Sequence, residues 1–337
     1  MTNKYLHWIL FLLALILLLA IAVVESLVSG EIDIPFRELP AVLTEKSGIQ
    51  YSVLSNIRIP RTLLAFSVGG ALSLTGAILQ GVYRNPLVEP YTLGISGGAA
   101  LGVALAIVLG LHHTLGAIVL PLSGFAGSIA TIFLVWFLSM NRGAVNINRM
   151  LLIGVMISFV ASSAMMFLMS ITTRENLHGI VFWMMGSVEE PNNALIQIAL
   201  WTSLAGLIFS FFFARPLNAL RLGQEKAQHL GINSRRTIRI LFIIASVLTG
   251  MSVSIAGVIG FVGLIIPHIV KLITGPDYRV VLLGSFLGGS FFLIVSDILA
   301  RTLIAPNELP IGVITGIAGG LVFIVVLARV GSKSKIH

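Results

Sequence analysis

Cysteine is absent from the 337 residues, and charge is scarce: Asp, Glu, Lys and Arg make up only 10% of the chain. The first absence excludes disulfides, thiolate metal sites and cysteine nucleophiles. The second, together with 57% hydrophobic residues and a mean hydropathy of +1.02, excludes an ordinary soluble globular domain. A Gly-x-x-x-x-Gly-Lys-[Ser/Thr] phosphate loop is missing, and no lysine even follows a glycine. Nucleotide phosphates need that backbone cradle and its lysine, so the chain is not expected to hydrolyse a nucleotide. Any ATP-driven work must come from another subunit.

What is present is a series of apolar runs. A bilayer core about 30 Å thick takes roughly 20 apolar residues per helix. The chain therefore holds about ten spans with short loops, and no sizeable soluble domain fits beside them. The runs lie near 8–28, 62–82, 92–110, 116–139, 150–170, 194–213, 238–256, 258–273, 281–303 and 310–329. This predicts an all-α polytopic membrane protein, with residues 1–337 forming a single transmembrane domain. The first run has the outline of a signal peptide, with Lys4 ahead of it and Ala20-Ile21-Ala22 mimicking a cleavage site. Its uncharged stretch from Trp8 to Val24 exceeds the usual h-region of about 7–15 residues, so it is read as a retained helix.

Charge arbitrates where hydropathy does not. The stretch around Gly257-Val258-Ile259-Gly260 is one helix or two. With ten spans and both termini cytoplasmic, Lys4, Arg84, Arg142, Arg149, Arg215, Arg221, Lys226, Arg235, Arg236, Arg239, Lys271, Arg279, Arg329, Lys333 and Lys335 lie inside. That is fifteen of the 21 basic residues, leaving Arg37, Lys46, Arg58, Arg61, Arg174 and Arg301 outside. The positive-inside rule expects such a bias, and it favours a split at Gly257. Six of the inner bases sit in one loop between Phe213 and Ile240, against the single acid Glu225. A loop so long and polar is where a soluble partner can grip.

Other groups read as structure. Asp297 precedes Arg301 by four residues and can pair with it on one helix face; a coupling carboxylate is the sharper alternative. Glu25 falls near the outer end of the first span and reads as solvated. His112, His113, His229 and His268 show no metal-ligand spacing, so no metal site is expected. Met165, Met166, Met169, Met184 and Met185 fit adaptable packing. Gly312, Gly316 and Gly320 share one face of the last span and read as a close-packing surface.

Several segments, in order from about residue 58 to the C-terminus, resemble the permease subunits of type II ABC importers, the iron-siderophore, haem and cobalamin family. They are Arg58-Ile-Pro-Arg61-Thr62, Gly76 through Gln80, Arg84-Asn-Pro-Leu-Val-Glu-Pro90, Leu93-Gly-Ile-Ser-Gly97 and Phe182-Trp-Met-Met-Gly186. The loop Arg215-Pro-Leu-Asn through Gly231, the run Gly257 through His268, and Asp297 through Gly312 complete the set.

The resemblance implies a ten-helix permease in a bacterial or archaeal cytoplasmic (inner) membrane. It would work as a homodimer or with a related second permease copy. Two cytoplasmic ATPase subunits would use ATP and Mg, this chain holding no cofactor. A periplasmic or extracellular substrate-binding protein would deliver the cargo, and nucleic acid would play no part. Residues 214–236 would form a cytoplasmic coupling loop of two short helices, with Arg215, Pro216, Leu217, Arg221, Gly223, Leu230 and Gly231 meeting the ATPase. Arg58, Arg61 and Arg301 match the family's docking arginines for the binding protein; local ion pairs with Asp297 or Glu308 are the alternative. Asn85 and Leu87, with Ile147 and Asn148, match the cytoplasmic gate, although Asn85-Pro86 also reads as a plain turn. The implied cargo is a metal chelate (iron-siderophore, haem or cobalamin), while some relatives carry oxyanions such as molybdate. A secondary transporter with a midplane site remains the competing class.

Overall fold

The computed structural model describes residues 2–30, 32, 34–116, 118–141, 144–145 and 147–333; side chains at 2–3, 141–147 and 326–333 fall outside the description. Arg142, Lys335 and the side chains of Ile147, Arg329 and Lys333 therefore lie outside the described residues. Each of the ten apolar runs becomes a helix: α1 (Thr2–Val28), α4 (Ile59–Tyr83), α5 (Ile95–Val108), α7 (Val119–Ser139), α8 (Ile147–Ile171), α10 (Asn193–Phe212), α13 (Ser234–Ala256), α14 (Val262–Thr274), α15 (Tyr278–Thr302) and α16 (Ile311–Lys333). Between them lie the shorter helices α2 (Leu39–Glu45), α3 (Gly48–Val53), α6 (Leu111–Leu115), α9 (Arg174–Met185), α11 (Ala214–Leu220) and α12 (Gln224–His229). A hairpin of two-residue strands pairs Met140–Asn141 with Ala144–Val145.

Among the described residues, seven helical segments are long and apolar enough to cross a membrane, and three shorter apolar helices accompany them: Ile95–Val108, Val262–Thr274 and Ile311–Val325. At 1.5 Å per residue, α5 and α14 reach only about 20 Å, short of a hydrocarbon core of about 30 Å. α14 is preceded by non-helical chain and α5 by a single 3-10 turn, Pro90–Leu93, and membrane depth tolerates such irregular backbone only where protein satisfies it. Tyr91, in the turn before α5, does this for the chain before α14. Its hydroxyl donates to the Ile259 carbonyl at 2.6 Å and accepts from the Ile259 amide at 2.9 Å.

The long apolar stretch does break at Gly257. That residue takes φ +70°, and a Cβ there would collide with the Trp183 carbonyl. Phe261, also left-handed at φ +68°, then starts α14. Inside α14, Pro267 has no N–H, so the Gly263 carbonyl loses its helical donor. The Gln80 amide replaces it, donating to Gly263 at 3.2 Å and to Leu264 at 3.1 Å. Lys271 in turn donates to the Gln80 oxygen at 2.9 Å. Gln80→Leu strands the Gly263 carbonyl and the Lys271 ammonium, and should lower unfolding stability by about 1–3 kcal/mol per group left unpaired. Thermal unfolding in detergent should show the loss, with the exposed Gln228→Leu as the unchanged control.

The backbone of the fold is the antiparallel pair α4–α15. Gly69 and Gly289 let the two main chains touch: a Cβ on either would collide with the other's carbonyl. Phe66 and Phe286 meet edge to face at 5.5 Å, and the Ser290 hydroxyl donates to the Phe66 carbonyl at 2.7 Å. Leu64, Leu72, Ile78, Val281 and Leu293 fill the core around them. The glycine face expected on α16 is confined to its start. Gly312 abuts the Met185 carbonyl, whereas Gly316 meets nothing within 4 Å and Gly319, not Gly320, packs closely on Phe261.

Candidate functional site

The two ends of the α4–α15 pair carry the sites picked out in the sequence. Each helix has 25 residues, so the ends lie about 37 Å apart.

At one end, Arg58, Arg61 and Arg301 turn inward and are buried. A π-helical turn, Leu54–Arg58, leads into α4 and aims Arg58 at the end of α1, where it donates to the Leu27 and Val28 carbonyls at 2.8 Å each and to Ile32. Gly30, at φ +148°, leaves room for that guanidinium. Arg61 binds Asp297 at 2.7 Å and Glu308 at 2.8 Å. Arg301 faces the other Asp297 oxygen at 3.1 Å, an ion pair rather than an aligned hydrogen bond, and donates to Ser26 and Ser29. Asp297 is thus a structural anion held by two arginines. Removing one member of such a buried set costs roughly 3–5 kcal/mol, so charge reversal of these arginines would test folding before it tested docking. The three still share one feature: with Glu308 they line an open pocket of about 170 Å³. Three guanidiniums and two carboxylates give it a net charge of +1. Glu308, whose side chain is 45% exposed, stands at its rim.

At the other end, Arg84 closes α4 in the left-handed region. The Asn85 side-chain oxygen then accepts from the Leu87 amide at 2.9 Å, making a tight turn that leaves Leu87 52% exposed. Asn148 is exposed at the start of α8, on a separate element from this turn. Beyond Leu87 the chain runs inward, with Val88 buried. The Glu89 carboxylate that follows accepts from the Phe261 amide.

The basic loop lies at this same end. It folds into α11 and α12, separated by Gly223 at φ +110° and closed by Gly231 at φ +80°. Leu217, Leu220 and Ala227 are buried anchors; Leu217 reaches toward Gly81 of α4. Asn218 bolts the loop to the start of α15, donating to Asp277 at 2.8 Å and accepting from the Tyr278 amide at 2.9 Å. Burial pushes the Asp277 carboxyl up, but Asn218, the Arg279 amide and the charges of Arg279 and Lys4 hold it below its ordinary value. Arg221 donates to the Pro276 carbonyl at 2.8 Å. Arg215 and Arg221 face outward, as do Leu222 and Leu230, 57% and 62% exposed. Two exposed leucines on a rigidly anchored polar loop mark a contact surface. Leu217, by contrast, is turned to the interior, and Asn218 is a positioning residue that spacing alone does not reveal.

Comparison with known proteins follows the same lines. Residues 16–329 match the family model described as the FecCD transport family. The hemin transport system permease protein HmuU of Yersinia pestis is 38% identical over 317 residues, covering 94% of each chain. The vitamin B12 import system permease protein BtuC of Escherichia coli is 37% identical over 329 residues, covering 95% of each. A solved structure of a metal-chelate type ABC transporter in an inward-facing conformation superposes with a TM-score of 0.83 at 31% identity, over 94% of this chain and 98% of that one.

Proposed function

The chain belongs to the FecCD transport family, and on that premise we propose that it is the permease subunit of an ATP-driven importer of a metal chelate. An outer binding protein delivers the cargo, two cytoplasmic ATPase subunits drive the cycle, and two permease copies enclose the pathway in a cytoplasmic membrane. The seven long and three short apolar helices among the described residues support a ten-span topology, and the bias of basic residues supports both termini being inside. The observation that carries the reading is the α4–α15 pair, which joins a positive pocket at one end to an anchored basic loop at the other. A machine worked by two soluble partners on opposite faces needs such a link. HmuU and BtuC are named for hemin and vitamin B12, which supports a bulky chelate as cargo ahead of an oxyanion such as molybdate.

In this reading the net positive pocket takes a carboxylate of the binding protein, with Arg58, Arg61 and Arg301 as its floor. The expected behaviour is electrostatic. Association should quicken at low ionic strength, where the Debye length is about 30 Å at 0.01 M, and Glu308→Gln should tighten it several-fold by removing the competing rim carboxylate. Surface interferometry with the cognate binding protein across a salt series tests both. Affinity indifferent to salt and to Glu308→Gln rejects the pocket as the docking site.

A further inference from the structure

A second cationic feature lies beside α12, whose first residue, Gln224, lines it, while Leu222 and Leu230 do not. Where α7 ends and α13 begins, Ile132, Trp136, Met150 and Phe242 wall a slot whose rim carries Arg235 and Arg239. The Arg239 guanidinium lies 5.8 Å from the centre of the Trp136 ring. Both arginines are exposed, and among the described residues neither has a carboxylate partner. The slot continues into an apolar face on the same helices, with Phe133 61%, Phe137 60% and Ile243 46% exposed. Its enclosed part is small, about 50 Å³, so it grips a segment of a chain rather than swallowing one whole.

Two unpaired guanidiniums and a tryptophan at the ends of membrane helices, directly above an apolar slot, form an amphipathic site. A soluble anion would use only the rim, and a neutral lipid only the slot. We propose that this is a binding site for one acidic phospholipid, its phosphate held by Arg235 and Arg239 and the first part of an acyl chain lying along Trp136, Ile132 and Phe242. Tryptophan belongs at this depth, and basic pockets between membrane helices suit anionic headgroups. The inference goes beyond the transport role and stands or falls independently of it.

The test is native mass spectrometry of the full chain, purified in detergent and incubated with equal amounts of phosphatidylglycerol and phosphatidylcholine. The wild type should retain one phosphatidylglycerol in preference to phosphatidylcholine by about tenfold or more, from two charges each worth about 1 kcal/mol. Arg235→Ala with Arg239→Ala should abolish the preference. Arg236→Ala, the loss of one charge at the exposed neighbour outside the slot, should leave it intact, whereas Arg239→Ala, also the loss of one charge, should not. Equal retention by the double variant overturns the proposal, and so does equal loss in Arg236→Ala, which would mean diffuse attraction to a basic surface. Displacement by an equal concentration of glycerol phosphate would show that the slot contributes nothing. If the double variant changes oligomer mass instead of lipid retention, a second copy covers this face and the lipid assignment is wrong.

Discussion

Aspartate at both Leu222 and Leu230 should abolish ATP-driven uptake while the protein still folds and inserts. The two leucines are 57% and 62% exposed, so neither change disturbs the core. What holds the loop in place lies underneath: buried Leu217, Leu220 and Ala227, and Asn218 bound to Asp277 and Tyr278. A partner that buries an apolar anchor in a pocket loses about 2 kcal/mol or more when the anchor is removed, roughly thirtyfold in affinity per residue. Placing a carboxylate there adds desolvation, so the double change should weaken ATPase-subunit binding by about a thousandfold. Pull-down of the ATPase subunit and uptake into vesicles should fall together. Uptake at the wild-type rate with normal expression would remove the coupling role from this loop.

The second large effect concerns the inner turn. Because a symmetric dimer brings equivalent residues together at its axis, a cysteine replacing Leu87 should meet its twin there. Leu87 is the better probe of the pair, since its side chain is 52% exposed while the Asn85 oxygen is engaged in the turn; Asn85→Cys should behave similarly but with a loosened turn. The native chain has no cysteine, so the background is clean. Leu87→Cys should crosslink across the dimer in at least one nucleotide state, because a gate alternates between discrete arrangements, and the locked form should transport at background level. Leu17→Cys, 62% exposed on α1, should not crosslink. If Leu87→Cys never crosslinks with or without ATP, the segment is a turn and nothing more.

The parts legible in the sequence were those that lipid dictates locally. Apolar runs marked all ten principal helices, and Gly257 marked the break. The features that depend on distant partners were not legible. Asp297 with Arg301 is visible as an i,i+4 pair, but Arg61 reaches the same carboxylate from 236 residues away. Burial of Arg58, Arg61 and Arg301 is therefore hidden, although local ion pairs with Asp297 or Glu308 are the alternative the sequence offers to the docking role implied by the resemblance. The inward run before α5 is held by Tyr91 on Ile259, 168 residues apart. Nothing around Tyr91 announces that bond. Helix α9 was missed because Arg174, Glu175 and His178 interrupt its hydropathy, although Thr173, whose side chain caps the Asn176 amide, was a usable start signal. On the basic loop, charge draws attention to Arg215 and Arg221 and the resemblance to Leu217 and Leu230, while the exposure of Leu222 is apparent only once Leu217 and Leu220 are seen to point inward.

The account rests on energy entering from a separate subunit, and reconstitution tests that most directly. The chain in proteoliposomes, alone and then with its ATPase subunit and binding protein, should take up a chelate such as haem or cobalamin only when both partners and ATP are present. Uptake by the chain alone, driven by a proton or sodium gradient and indifferent to ATP, would contradict the account and identify a secondary transporter.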